Sequence, residues 1–185
     1  MLQATYGKGT FQYEEGKTYR EERSKTRSIG FHAAEYILDC LQWYPIDGEN
    51  RFFLCEAGGS IDEEENCSMV VSTELTLLAE LSLMEIAMAA MKYMIIHPKR
   101  TWESQQGNAL ARKDKAEATG DYKIAIVRGL HPEVMGDYGT VIGLIVEDEK
   151  GKPVAAGVRN VDGIQAKAHQ IYSMTEEREW VEVQK

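Results

Sequence analysis

The residues best placed to do chemistry are His32 and Glu35. Read on a helix, their i, i+3 spacing puts an imidazole and a carboxylate side by side, suited to two metal ligands or to a base and the group that orients it. The pair has no supporting motif. The chain contains no Gly-x-Ser-x-Gly elbow, P-loop, Gly-x-Gly-x-x-Gly or His-x-x-x-His. His97 precedes Pro98 at a helix end, where a cationic ring suits the dipole, and His131 and His169 have no acidic or thiol partner at a diagnostic spacing. The cysteines, Cys40, Cys55 and Cys67, are odd in number and form no Cys-x-x-Cys pair. They read as buried free thiols in a reducing compartment rather than as a zinc site. The expectation is therefore a protein without catalytic residues, metal or cofactor. His32 is expected to be structural, its ring bonded to a backbone carbonyl or a carboxylate.

Acidic residues are the more prominent chemistry. The chain carries 30 Asp and Glu against 21 Lys and Arg, a net charge of −9 in 185 residues. Such a surface repels phosphate backbones and is drawn to basic protein surfaces. Two clusters concentrate it: Asp62, Glu63, Glu64 and Glu65, and then Glu147, Asp148 and Glu149. Both fall in expected loops, where side chains are free to face a partner, so these seven residues are the candidate partner-binding set. The first cluster lacks the alternating ligands, central Gly and terminal Glu of an EF-hand.

The elements that would carry these groups follow from periodicity. Ile37, Cys40, Leu41 and Tyr44 recur at i, i+3, i+4, i+7, which predicts a helix over about 33–44 stopped by Pro45. Arg51 to Ala57 and Ser68 to Thr76 read as strands, the first ended by Gly58-Gly59. Residues 79–97 form the strongest helix, rich in methionine (Met84, Met88, Met91, Met94) and terminated by Pro98. If its own chain leaves that helix partly uncovered, it favours a homodimer. Residues 101–119 are polar and read as a linker or an exposed excursion. Beyond them Gly120-Asp121-Tyr122 recurs as Gly136-Asp137-Tyr138, 16 residues later, each copy before a β-branched strand. Two copies fall short of the roughly three units a solenoid needs, so a β-meander is expected. The predicted fold class is α+β: two main helices packed on short, mainly antiparallel strands, with a β-rich C-terminal third. The regions are 1–100, the linker 101–119, and 120–185. No signal peptide is expected from the N-terminal ten residues, and no apolar run approaches the roughly 20 residues of a membrane helix.

The segment Phe11-Gln12-Tyr13-Glu14-Glu15-Gly16-Lys17-Thr18-Tyr19, followed by Gly30-Phe31-His32-Ala33, Leu38-Asp39 and Trp43-Tyr44-Pro45, resembles a family of proteins encoded by phages and prophages of gut bacteria. Glu56 to Ser68, the Gly-Asp-Tyr copies and the tail from Asp162-Gly163 to Val183 are similar to the same family. Ala34 stands where the family has a cysteine, so thiol chemistry at that position does not carry over. The family's central repeats are reduced here to one or two remnants. What the resemblance implies is company rather than activity: a cytoplasmic protein of an infected bacterial host, comparable in type to anti-CRISPR inhibitors. The expected partner is then the basic nucleic-acid groove of a CRISPR effector nuclease, met by the acidic loops, with no direct binding of generic nucleic acid and no membrane association. A second, enzymatic expectation comes from Tyr13, Tyr19, His32 and Tyr36 with Arg20 or Arg23, a set loosely similar to the clefts of ADP-ribosyltransferase-like folds.

Overall fold

The computed structural model describes residues 13–25, 28–63 and 68–184. Two compact units divide it, Met1–Ser82 and Leu83–Lys185. Strands make up 49% and helices 11%, with eleven strands in two sheets among the described residues. The fold is therefore mostly β, which corrects the expected α+β class with two main helices.

The N-terminal unit is built on one long strand. β1 (Thr18–Arg20), β2 (Phe31–Ala34), β3 (Phe53–Glu63) and β4 (Met69–Glu80) form an antiparallel sheet. β4 pairs with β3 along one edge and with β2 and β1 in succession along the other. The expected helix over 33–44 is reduced to one turn, α1 (Ile37–Cys40). Its predecessor residues are taken by β2, where Phe31 to Ala34 lie beside Ser72 to Met69. Tyr36, at the N-cap, is still extended (φ −96°, ψ 104°). Strand pairing satisfies these backbone groups, and starting a helix is costly. One turn is enough to bury Ile37, Leu38, Cys40 and Leu41.

β3 also departs from expectation by continuing through Gly58-Gly59. Gly59 adopts a left-handed φ of 71°, and a bulge between Gly58 and Ile61 lets Ser60 donate its N–H to Thr73 Oγ1 at 2.8 Å. The glycines thus bend the strand rather than end it. The unit's core gathers Phe31, Cys40, Phe53, Leu75 and Leu77, with Tyr13, Tyr19 and Tyr44 packed against them.

The C-terminal unit opens with α2 (Leu83–Ile96), followed by β5 (Ser104–Gln106), β6 (Ala109–Ala118), β7 (Ile124–Gly136), β8 (Val141–Glu147), β9 (Pro153–Asn160), β10 (Ile171–Met174) and β11 (Trp180–Val183). Residues 101–119 thus contain β5 and all of β6. β6, β7 and β8 run parallel: Ala109 lies beside Ile124, and Ile124 beside Val141. Parallel neighbours normally need a crossover of a dozen or more residues. Here the second half of each long strand is the return path, since Lys115–Ala118 lie beside Glu133–Gly136 beyond a register shift at Asp114. The chain therefore advances one rung every 15 and then 17 residues. The two Gly-Asp-Tyr copies lie near successive turns but out of structural register: Gly136, the last residue of β7, lies beside Ala118, and the Gly120 N–H donates to Asp137 Oδ2 at 3.0 Å. The expected meander is corrected to a short parallel coil, closed by antiparallel β9 and β10.

Both faces of the coil's strands are buried, which is why β7 and β8 begin as unbroken apolar runs. Ala125, Val127, Ile142 and Leu144 face a core shared with Val134, Tyr172 and Met174. On the other face lies α2, so close that a Cβ on Gly143 would stand 2.7 Å from Met91 Sδ.

Candidate partner-binding site

Local folding separates the seven candidate carboxylates into three situations. Asp62 and Glu63 are the last residues of β3, paired with Val71 and Val70, and both are exposed. Sequence reasoning placed them in a loop, but the strand fixes their backbone. Glu64 and Glu65 lie outside the described residues.

Glu147 is not available to a partner. Its carboxylate accepts a hydrogen bond from Arg128 Nε, and Arg128 has only 2% of its side chain exposed. The same guanidinium donates to the carbonyls of Met94 (3.1 Å) and Pro98 (3.2 Å) and lies 5.2 Å from the Trp102 ring centroid. A buried cation here closes the C-terminal end of α2, where unsatisfied carbonyls favour positive charge, and Glu147 neutralises it. Nothing in the spacing of Arg128 and Glu147 marks this pair. An arginine inside the apolar run from Ile124 was the one available signal, since such a residue is rarely buried unless paired.

Asp148 is also committed. It accepts the N–H groups of Lys150 and Lys152, both at 2.9 Å, and these hold its carboxyl below the ordinary value, the Lys152 N–H foremost. Glu149 is exposed beside it. The two clusters belong to different units.

Charge is divided unequally between those units. Residues 1–82 contain 15 acidic and 7 basic side chains, a net −8, leaving −1 for residues 83–185 with 15 and 14. Within the N-terminal unit several carboxylates are spent on ion pairs: Glu14 with Lys17 (2.7 Å), Glu74 with Arg20 (3.0 Å) and Glu80 with Arg51 (2.5 Å). Glu56, Asp62 and Glu63 stand exposed along β3. Glu56 was missed by sequence reasoning because it is isolated in an apolar run. Only the extended geometry of β3 puts it on the same strand as Asp62.

Two tyrosines of the N-terminal aromatic set pack together. Tyr13 and Tyr19 meet edge to face with centroids 4.9 Å apart and pack on Phe31 in the core. Burial pushes the Tyr13 hydroxyl above its ordinary value. Arg20 is drawn to Glu74, and Tyr36 is 2% exposed, its N–H donated to Ser68 Oγ at 2.9 Å. His32 is half-buried on β2 with Nδ1 3.1 Å from the Gly30 carbonyl oxygen, which can only accept, so the contact calls for the proton on Nδ1. Burial also raises Cys55 and pushes Cys40 up to about 11, which suppresses the thiolate that would make either reactive. Cys67 lies outside the described residues. Among those residues no group of three or more His, Cys, Asp or Glu side chains could hold a metal ion, and no helix is long and apolar enough to cross a membrane.

Together these features define a mostly β protein of two units, the first strongly acidic. Residues 3–89 match a family described as a domain of unknown function (DUF7666), a span that takes in the acidic unit and half of α2. Neither the curated proteins nor the solved structures contain a match to the chain.

Proposed function

We propose that this protein is a phage-borne inhibitor of bacterial defence. Its acidic N-terminal unit would occupy the basic nucleic-acid groove of a host nuclease, a CRISPR effector being the first target to test. The observation that carries this reading is the partition of charge: a net −8 on residues 1–82 against −1 on the remainder. Charge spread evenly would serve solubility alone. Charge held on one unit creates a directed field, which steers association with an opposite surface. A nuclease that holds nucleic acid in a positively charged channel presents such a surface. The resemblance of the N-terminal segment to phage-encoded proteins supplies the biological setting.

The binding set under this reading is Glu56, Asp62 and Glu63, with Glu64 and Glu65 following them in sequence. Glu147 drops out because it neutralises Arg128, and Asp148 because its carboxylate holds a turn. The test is a pull-down from host lysate at low salt, with a cleavage assay on whatever nuclease is recovered. Recovery should weaken steeply as salt is raised, and the double variant Asp62→Lys, Glu63→Lys should lose it while melting like wild type. Recovery of no defence protein, with unchanged phage plating on CRISPR-active hosts, would remove the proposal.

A further inference from the structure

The C-terminal unit has several open strand edges among the described residues, and they are not alike. β5 and β11 are short, at 3 and 4 residues. β6 is uncovered beyond Ala111, where β5 stops, but that stretch carries Lys113, Lys115 and Glu117 and is broken by Asp114 at φ 64°. Shortness, charge and a bulge are the devices that keep an edge from pairing with another chain. β9 has them only toward its ends, a register shift at Val154 next to Pro153 and the single charge of Arg159. It spans eight residues, runs beside β8 without a register shift from Ala155 to Asn160, and carries one charge, Arg159. That charge is occupied: its guanidinium lies 4.6 Å from the Trp180 ring centroid and donates to the Gln165 carbonyl at 2.9 Å.

The hydrogen-bond pattern shows which groups face outward. Asn160 donates its N–H to Gln165 Oε1, away from β8, while the next residue, Val161, donates to Thr140 O. By the alternation of a strand, Val158 and Ala156 also direct their N–H and C=O groups away from β8. Among the described residues β9 pairs with β8 alone.

We infer that β9 pairs antiparallel with β9 of a second copy of this chain, about a two-fold axis at Gly157. The strand is self-complementary in that register. Ala156 of one copy faces Val158 of the other, and both carry outward groups, so each of the two equivalent pairs exchanges two hydrogen bonds. Gly157 opposes Gly157 at the non-hydrogen-bonded position, where the space a side chain would fill is taken by Trp180 and Met174 of the same copy. Arg159 opposes Ala155, so no like charges meet. Backbone groups alone would accept any extended strand, but a second copy brings the same open edge and satisfies both at once by symmetry.

The test is mass by light scattering over a concentration series, with Ala156→Pro and Val158→Pro, each of which removes one outward N–H without touching the β8 ladder. The expected result is a dimer mass for the wild type that grows with concentration, and a monomer mass for both variants with unchanged melting. A wild type that stays monomeric at millimolar concentration overturns the inference, and so does a dimer that survives both substitutions. Should the variants fail to fold, amide exchange on the wild type decides: the Ala156 and Val158 amides must gain protection as concentration rises, and equal exchange at all concentrations overturns it.

Discussion

In the N-terminal unit the described strand pairings are all antiparallel and run through β4, whereas in the C-terminal unit β6, β7 and β8 stack in parallel. Surface ion pairs occur in both units, Lys167–Glu182 in the second for example, but two pairs mark the contrast. Arg51–Glu80 in the first unit lies at the surface, with 51% and 43% of the two side chains exposed. Arg128–Glu147 in the second has 2% and 14%. A sheet open to water on one face keeps its charges where a partner can reach them. A coil buried on both faces uses its few internal charges for structure, and its surface charges nearly cancel.

The largest expected effect comes from the buried pair. Arg128→Ala leaves Glu147 without its counter-ion and strips the α2 carbonyls of their donor, at a cost of about 3–5 kcal/mol. Arg51→Ala should leave the midpoint of urea unfolding unchanged, because exposed pairs contribute little. Equal losses in the two variants would break the comparison.

Alkaline titration sharpens it from the other side. The Cys40 thiol, buried in the N-terminal core, is pushed from its ordinary value of 9.0 up to about 11. Folding therefore favours the neutral form, and this contribution is whole below pH 9. Above that the unfolded chain ionises first, so stability falls as pH rises from about 9 to about 11, by on the order of 2–3 kcal/mol at most. Urea unfolding across that window should show the fall. A flat profile for unfolding of the N-terminal unit would mean that Cys40 is not held dry.

These two sites also show what sequence could and could not reveal. Burial of Cys40 was legible, because it lies on an apolar stripe with Ile37 and Leu41. The element carrying it was not. The same spacing serves a single turn after a strand, and the choice was made by β4, some thirty residues away in sequence. The Gly-Asp-Tyr repeat marked successive turns but not the register, since Gly136 lies beside Ala118 rather than Gly120; the direction of strand pairing is a tertiary fact, and a meander and a coil share the local pattern. The acidic clusters were visible as charge but not as roles. Glu147 and Glu149 are two residues apart, and only the position of Arg128 makes one structural and the other exposed.

Packing offers a smaller probe of the same difference. Gly143→Val would put a Cβ 2.7 Å from Met91 Sδ, where β8 and α2 are closest. Met91 is flexible at that end, so a loss of about 1–3 kcal/mol is expected rather than failure to fold. Gly48, at φ 88° in the N-terminal unit, has nothing within 4 Å of such a Cβ, so Gly48→Ala should lose only what its backbone conformation costs, about 1 kcal/mol. Thermal unfolding of the pair checks this, and a larger loss at Gly48 would reverse the expected order.

A small effect is expected at His32, in the most recognisable segment of the chain. Its Nδ1 contact is with the carbonyl of Gly30, a residue that is itself only partly buried. Removing the ring would cost the full 1–3 kcal/mol of an unsatisfied buried acceptor only if water could not take its place. At this partly open position water can, so His32→Ala should lose under about 1 kcal/mol. Thermal unfolding measures that loss, and a phage-protection assay run on the same two proteins measures function. Loss of protection in proportion to loss of stability makes the ring structural. Wild-type melting with no protection would instead move the binding surface from the end of β3 to β2, and with it the division between an acidic binding face and a packed core on which the comparison rests.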